Sequence, residues 1–277
     1  MVHAPARWAG ACGGGEARAV MRGLTDDTGR HVAVPDVVER VVSIVPSLTE
    51  TVAVTAPGLL VAATAWCTHP AELDVVRVKG TKNPDVAAIV DLRPDLVLAN
   101  VEENRDVDLY ALRARGLSVW VTDVRTLDGA FASLARLLQA CGLPRPAWLH
   151  DAERAWADAD PLAPRRRAVV PIWRRPWMVV GSDTFAGSVL GRLGVDNVLA
   201  DAADRYPRVA LGELPPVDLV VLPDEPYRFT ADDGPEAFPG VPAALVSGRH
   251  LTWYGPSLVE APEVLTAQLA AAGPRIR

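Results

Sequence analysis

The stretch Arg40-Val-Val-Ser-Ile-Val-Pro-Ser-Leu-Thr-Glu50 decides how the rest of the chain is read. Arg40–Val45 is apolar apart from its first residue and Ser43, as expected of a strand buried on both faces. Pro46 then opens a helix, with Ser47 expected at its N-cap and Glu50, three residues on, completing a capping box. A strand that passes directly into a helix is the unit of an α/β sheet, and the unit recurs. Strands are expected at Leu59–Ala65, Asp95–Ala99 and Leu117–Val121. Helices are expected at Asp85–Leu92, at Asp106–Arg115 closed by Gly116, and at Leu127–Ala140 closed by Gly142. Upstream, residues 25–35 read as a hairpin turning at Asp27-Thr28-Gly29.

A helical segment at Pro146–Asp160 follows, long enough to span roughly 20 Å. The pattern then restarts. Strands are expected at Arg167–Trp173, Trp177–Val180, Asp218–Leu222 and Ala243–Ser247, with helices at Phe185–Leu193 and Ser257–Ala271. No internal repeat is clear in the sequence. The expected fold class is α/β: two α/β lobes with mainly parallel sheets, joined by a single linking helix, with a ligand cleft between them. The expected division is a disordered tail over 1–23, an N-terminal lobe over 24–142, the linking helix over 143–164 and a C-terminal lobe over 165–277.

Composition narrows the function classes. A length of 277 residues predicts about two domains. An apolar content of 49% with a net charge of only −6 excludes a disordered chain, and the acidic balance argues against a nucleic-acid partner. The apolar stretch Val41–Ala65 is interrupted by Pro46, Glu50 and Pro57, so it is not a membrane span. Cys12, Cys67 and Cys141 are odd in number and form no CxxC, which supports neither a disulfide framework nor a zinc site. Cys67 and Cys141 are expected as small buried hydrophobes. Arg7 is followed by no apolar run of signal-peptide length. The chain as written is therefore expected in the cytoplasm, and outside it if the true N-terminus differs.

Ligands of parallel α/β sheets bind beyond the carboxyl ends of the strands, and there the sequence is rich in aromatic residues. Trp66, Trp173, Trp177, Tyr206, Tyr227, Trp253 and Tyr254 fall in or near those loops, and Trp120 lies in a strand. Half-apolar, half-wet surfaces favour Trp and Tyr, so a wide, flat, partly apolar ligand is the functional reading, and lobe–lobe packing is the structural alternative. Gly181-Ser182-Asp183-Thr184 opens a helix whose N–H groups could meet an anion, although Ser182 or Asp183 could simply cap it. Lys82, in the turn Gly80–Pro84, is placed at the cleft. Glu102-Glu103 end a strand, where they could bind a ligand or act as an acid/base pair. Neither a phosphate loop nor a GxSxG elbow is present, and His3, His31, His69, His150 and His250 lack metal-ligand spacing. No catalytic residue, cofactor or resident metal is expected.

Several of these segments are ones shared with a known family. Arg40–Glu50, Gly80-Thr-Lys-Asn-Pro84, Leu92-Arg-Pro-Asp-Leu-Val-Leu-Ala-Asn100 followed by Glu102-Glu103-Asn104, and Trp253-Tyr254-Gly255 resemble the cobalamin- and iron-siderophore-binding proteins of ABC importers. Trp173–Met178 and Gly181–Thr184 are similar to segments of the subgroup called helical backbone metal receptors. The resemblance runs from about Thr25 to Ala271. It implies two lobes about a rigid helix and non-covalent binding of a corrinoid, a haem-like ring or an iron chelate by a monomer that an ABC permease serves. On this reading Trp173, Trp177, Trp253 and Tyr254 wall the ligand, with Trp66, Tyr206 and Tyr227 around it. Ser47, Asn100, Ser182 and Asp183 bond its rim together with Lys82 and Glu102, and Arg174, Arg205 or Arg249 pairs with carboxylates. Of the two acidic positions that dock such proteins on a permease, the first falls at Ala87, which carries no charge, and the second at Glu213. Two other readings stay open: a cytoplasmic tetrapyrrole-processing or metal-inserting enzyme using His69 and His250, and a ligand sensor docking a partner through Pro223–Pro242.

Overall fold

The chain begins its described course on an antiparallel hairpin and then builds two separate all-parallel sheets; the computed structural model describes residues 20–272. The hairpin is β1 (Met21–Thr25) and β2 (His31–Pro35). The first sheet uses β3 (Val41–Ser43), β4 (Leu60–Ala63), β5 (Val76–Arg77), β8 (Leu96–Asn100) and β9 (Val119–Thr122), in the order β5-β4-β3-β8-β9. Between them lie α1 (Pro46–Thr55), the short ladder β6 (Lys79–Gly80) with β7 (Asn83–Pro84), α2 (Val86–Asp91) and α3 (Asp106–Ala114). Two helices follow, α4 (Leu127–Ala140) and α5 (Ala147–Asp158).

The second sheet runs β13-β10-β14-β15, from β10 (Arg166–Val169), β13 (Val195–Asn197), β14 (Leu219–Pro223) and β15 (Ala243–Val246). A hairpin of β11 (Pro171–Trp173) and β12 (Met178–Val179) extends from β10, and α6 (Phe185–Arg192), α7 (Gly248–Thr252) and α8 (Ala261–Ala271) complete the chain. In each sheet the first strand lies inside, and the chain reverses its direction of travel beside it. The switch points therefore fall between β3 and β8 and between β10 and β14, where open α/β sheets leave a crevice.

The two switch points are built alike. Asp95 and Asp218 begin the matching runs Asp95-Leu-Val-Leu-Ala-Asn-Val-Glu102 and Asp218-Leu-Val-Val-Leu-Pro-Asp-Glu225. The Asp95 backbone N donates to Arg40 O at 2.8 Å, and its carboxylate accepts the Arg40 N–H at 2.9 Å; Asp218 does the same with Arg167 at 2.8 and 3.1 Å. A local self-similarity is thus present where none was expected. It escapes a sequence scan because only about eight residues carry it, and the helices around them differ.

Helix α5 buries Leu149, Ala152 and Trp156, one face at helical spacing, against the 3-10 turn Pro256–Val259 and its neighbours. Trp148 Nε1 donates to Thr55 Oγ1 of α1 at 3.0 Å, while Arg192 of α6 donates to the Trp156, Ala157 and Ala159 carbonyls at the other end. A cation on the last carbonyls satisfies groups that the helix itself leaves unbonded. One apolar cluster runs through this helix, from Val41 and Leu96 of the first sheet to Ala168 and Leu219 of the second. Smaller clusters back the outer faces of each sheet.

Some local expectations need correction. Val45, not Ser47, is the N-cap of α1 and no side chain caps that helix; Pro46 at its start has no N–H to satisfy. Glu50 makes no capping box but pairs with Arg249. Within the expected tail over 1–23, residues from Met21 onward form β1; Cys12 and the Gly10–Gly15 run lie outside the described residues. Arg167–Trp173 divides between two sheets, and Ser257–Ala271 between a 3-10 turn and α8. Strands β5 and β13, each two or three residues long, were too short to be read from sequence.

Candidate functional site

The loops beyond the strand ends of the two sheets meet along a seam, and its inner part is dry. Tyr254, 6% exposed, receives an N–H from Asn100 Nδ2 at 2.7 Å and shares a hydrogen bond with Thr122 Oγ1 at 3.0 Å. Its ring meets Phe185 edge-on at 5.8 Å. Asn100 Oδ1 accepts the backbone N–H groups of Glu102 and Glu103, which fixes the turn after β8. Burial drives the Tyr254 phenol well above its usual range. Beside it the buried Glu50 of α1 pairs with Arg249 of α7, and Arg249 also reaches Glu260 at 3.2 Å. Gly255 lies on α1 so closely that a Cβ there would stand 2.9 Å from Thr51 Oγ1 and 3.2 Å from Ser47 O.

Towards the outside the seam becomes polar and partly open. Glu102, after β8, meets Arg205 Nη2 at 2.7 Å and accepts the Tyr206 hydroxyl at 3.0 Å, both from the second lobe. The Arg205 contact lacks hydrogen-bond alignment, so that guanidinium nitrogen is buried with no aligned acceptor. Lys82 Nζ donates to the Glu102 carbonyl. Arg125, after β9, pairs with Asp123 of its own lobe and with Asp183 of the other. A cavity of about 300 Å³ opens beside this pair, lined by Gly181, Thr184, Ser188 and Asn197 among others. The Arg205 loop runs close under Gly181, where a Cβ would sit 2.2 Å from Asp204 O, so only glycine fits.

Glu103, Glu225 and His69, along the seam, are also displaced from their usual values. Burial pushes the Glu103 carboxyl up, against the pull of Lys82, and it pushes up the Glu225 carboxyl, which accepts Trp253 Nε1 at 3.0 Å. Burial and then the charge of Arg249 push the His69 imidazole down, keeping it neutral where its ring meets Trp253 edge-on at 5.4 Å. Among the described residues no group of three or more His, Cys, Asp or Glu side chains is placed to hold a metal ion.

The aromatic residues divide sharply. Trp66 is 68% exposed on the first lobe and Trp173 is 44% exposed on the second, where Tyr227 meets it edge-on at 5.7 Å. Tyr206 and Tyr227 are half-buried. Trp177 is half-buried against the outer cluster of the second sheet, where Tyr227 also packs: Phe229 is parallel to it at 6.1 Å, Phe238 meets it edge-on at 5.6 Å, and the Arg174 guanidinium lies 5.1 Å from its ring. Trp120 is 1% exposed inside the core, in β9, the strand in which the sequence places it. Trp253 and Tyr254 are buried in the seam, and Ser47 and Asn100 are 4% and 3% exposed, with the Asn100 side chain fully bonded. These residues shape the seam from beneath.

Polar candidates keep more freedom. Lys82 and Asp183 are exposed and Ser182 is half-buried; neither Ser182 nor Asp183 caps α6, since Thr184 accepts the Gly187 N–H at 3.2 Å. Arg174 is held by Asp233 and Glu236 of its own lobe. Glu213 is exposed in a 3-10 turn, and so is Ala87 on α2. Arg125 and Glu225 were missed by sequence reasoning. For Glu225 a signal existed, its register with Glu102 in the two matching runs; for Arg125 there was none.

Known proteins fall into line with this geometry. No family model matches the chain. The vitamin B12-binding protein of Pectobacterium carotovorum is 24% identical over 260 residues, 85% of this chain and 90% of that one. Among solved structures, the periplasmic vitamin B12 binding protein BtuF of Vibrio cholerae superposes with a TM-score of 0.63 at 21% identity, covering 85% of this chain and 98% of its own. The periplasmic heme binding protein HutB of the same organism gives 0.67 at 20% identity, covering 83% and 98%. The resemblance read in the sequence therefore holds: this chain is similar to the vitamin B12- and haem-binding periplasmic proteins, and it has their two-lobed α/β fold.

Proposed function

We propose that this protein binds a bulky, flat, ring-shaped ligand, a corrinoid or a haem-like or iron-chelate molecule, at the outer part of the seam between its lobes, and that it releases that ligand unchanged. The observation that carries the reading is the set of contacts between loops beyond the strand ends of the two sheets: Glu102 with Arg205 and Tyr206, Arg125 with Asp183, and Asn100 with Tyr254. Each lobe also carries an exposed indole, Trp66 on the first and Trp173 on the second. An aromatic face is worth about 0.5–1.5 kcal/mol to a ring packed on it, beyond area burial.

In this reading Trp66, Trp173, Tyr206 and Tyr227 contact the ring, while Lys82, Ser182 and Asp183 meet its rim. Trp253, Tyr254, Asn100 and Ser47 hold the seam in shape, and Trp177 supports the hairpin carrying Trp173. Binding without turnover accords with the names of the similar proteins, all of them binding proteins. His69 and His250 suit an enzyme poorly, because the first packs on Trp253 and the second is bonded to Ser247 and Glu260.

The similar structures are titled periplasmic, and we place this protein outside the cytoplasm with them. The cytoplasmic expectation finds no support in the comparisons. Among the described residues no helix is long and apolar enough to cross a membrane. Glu213 remains the proposed docking position for an ABC permease on one lobe, and Ala87 offers no charge on the other.

The test is a visible-absorbance titration of the purified full chain with cyanocobalamin, with haemin and with ferric siderophores. One of them should give a saturable 1:1 spectral change, weakened about two- to tenfold by W173A or W66A. No saturable change with any of them would remove the reading.

A further inference from the structure

Four arginines near the seam could receive a ligand carboxylate, and each already faces a carboxylate of the protein; Arg125 is held by two, Asp123 and Asp183. Arg174 is held by two acids of its own lobe and covers Trp177. Arg249 faces Glu50, whose side chain is 5% exposed, and a buried pair of that kind is costly to part. Arg205 is different. Its partner Glu102, like that of Arg249, comes from the opposite lobe, but here the two side chains are 25% and 29% exposed, so parting them costs less than parting the buried pair. The contact is also incomplete, since the buried Arg205 Nη2 has no aligned acceptor. Tyr206 donates to the same carboxylate, and Arg205 Nε donates to the Asp183 carbonyl at 2.9 Å, which holds the guanidinium in place.

A guanidinium and an adjacent phenol, both within 3.0 Å of one carboxylate oxygen, form a pair that can receive a carboxylate. Nothing in that chemistry requires the carboxylate to be the protein's own. We infer that Glu102 is an internal stand-in for a ligand carboxylate: in the free protein it occupies Arg205 and Tyr206, and a carboxylate-bearing ligand enters by exchanging its own carboxylate for that of Glu102. The inference rests on the seam being the ligand site proposed above, and it narrows the ligand class. A ring carrying carboxylates can complete the exchange, whereas a neutral, amide-rimmed ring must leave Arg205 with Glu102 or strip it without replacement. Lys82, on the Glu102 carbonyl, stands as a second cation for a ligand with more than one carboxylate.

The test compares the full-length wild type with E102Q, using haemin and haemin dimethyl ester, which share a ring and differ in their carboxylates. E102Q keeps the side chain's shape and an acceptor for Tyr206 but removes the competing charge. Haemin should bind E102Q about five- to tenfold more tightly than wild type, while the ester binds both proteins equally within twofold. Adding R205Q to E102Q should abolish the gain. Haemin affinity that is unchanged or weaker in E102Q, or an equal gain for acid and ester, overturns the proposal. Cyanocobalamin separates this failure from failure of the binding reading: bound alike by wild type and E102Q, it leaves the seam as the site while Glu102 loses its role. If R205Q does not fold, judged by its melting transition, the acid–ester comparison in E102Q decides alone.

Discussion

The inner and outer parts of the seam use the same chemistry at different depths, and depth decides what each can do. Inside, Glu50–Arg249 and the Asn100–Tyr254–Thr122 cluster are buried and almost fully bonded. Outside, Glu102–Arg205 and Arg125–Asp183 are a quarter to a half exposed. Parting a buried pair strands a charge away from water, at about 3–5 kcal/mol. A pair open to water loses at most about 1 kcal/mol. The inner contacts therefore join the lobes permanently, with α5 and the shared apolar cluster, and the outer contacts can exchange partners with a ligand.

The largest effect should come from R249M, which leaves Glu50 buried without its partner and should cost about 3–5 kcal/mol in urea unfolding. R125Q, which breaks the outer pair with Asp183, should cost under about 1 kcal/mol in the same assay. Equal losses would erase the distinction between the two parts. Next in size, Y254F removes the hydroxyl shared by Asn100 and Thr122 and should cost about 1 kcal/mol, the net worth of a buried hydrogen bond, since Asn100 Nδ2 keeps Thr122 O and Oγ1 as acceptors.

The smallest effect is at Glu103. Its folded pKa is raised by burial, so its contribution to stability is fully present below the unfolded value near 4.5 and is lost as the pH rises through the folded value. E103Q should therefore raise the melting temperature at neutral pH by roughly 1–3 °C and leave it unchanged near pH 4. A variant that melts lower at pH 7 would show that the ionised carboxylate is instead stabilised.

The fold was legible because its signals are local. Helix α4 was placed at Leu127–Ala140 and is found there, its apolar residues recurring at helical spacing with Gly142 beyond its end. Strands β8 and β14 are unbroken apolar runs that need no partner to be recognised. The site was legible only as a neighbourhood. Loop position brought Trp66, Trp173, Tyr206 and Glu102 into consideration, but it could not separate Trp173 from Trp177. Four residues apart on one hairpin, the first keeps 44% of its surface exposed, whereas the second lies against Phe229 and Phe238, rings far along the chain. Which face of an indole is covered is a property of the packed molecule. Ser47 illustrates the same limit: its position after a strand suggested a cap, and the return of Trp253-Tyr254-Gly255 across α1 buries it.

Backbone hydrogen exchange of the full chain, measured free and at saturation with haemin and separately with cyanocobalamin, tests the central claim most directly. Protection is predicted in both halves of the outer seam together, over 65–82 and 101–106 on one lobe and 173–183 and 204–207 on the other, with little change in α4 or α5. Protection centred instead on the cavity of about 560 Å³ between α4, α5 and the end of α6, or confined to one lobe, would contradict it.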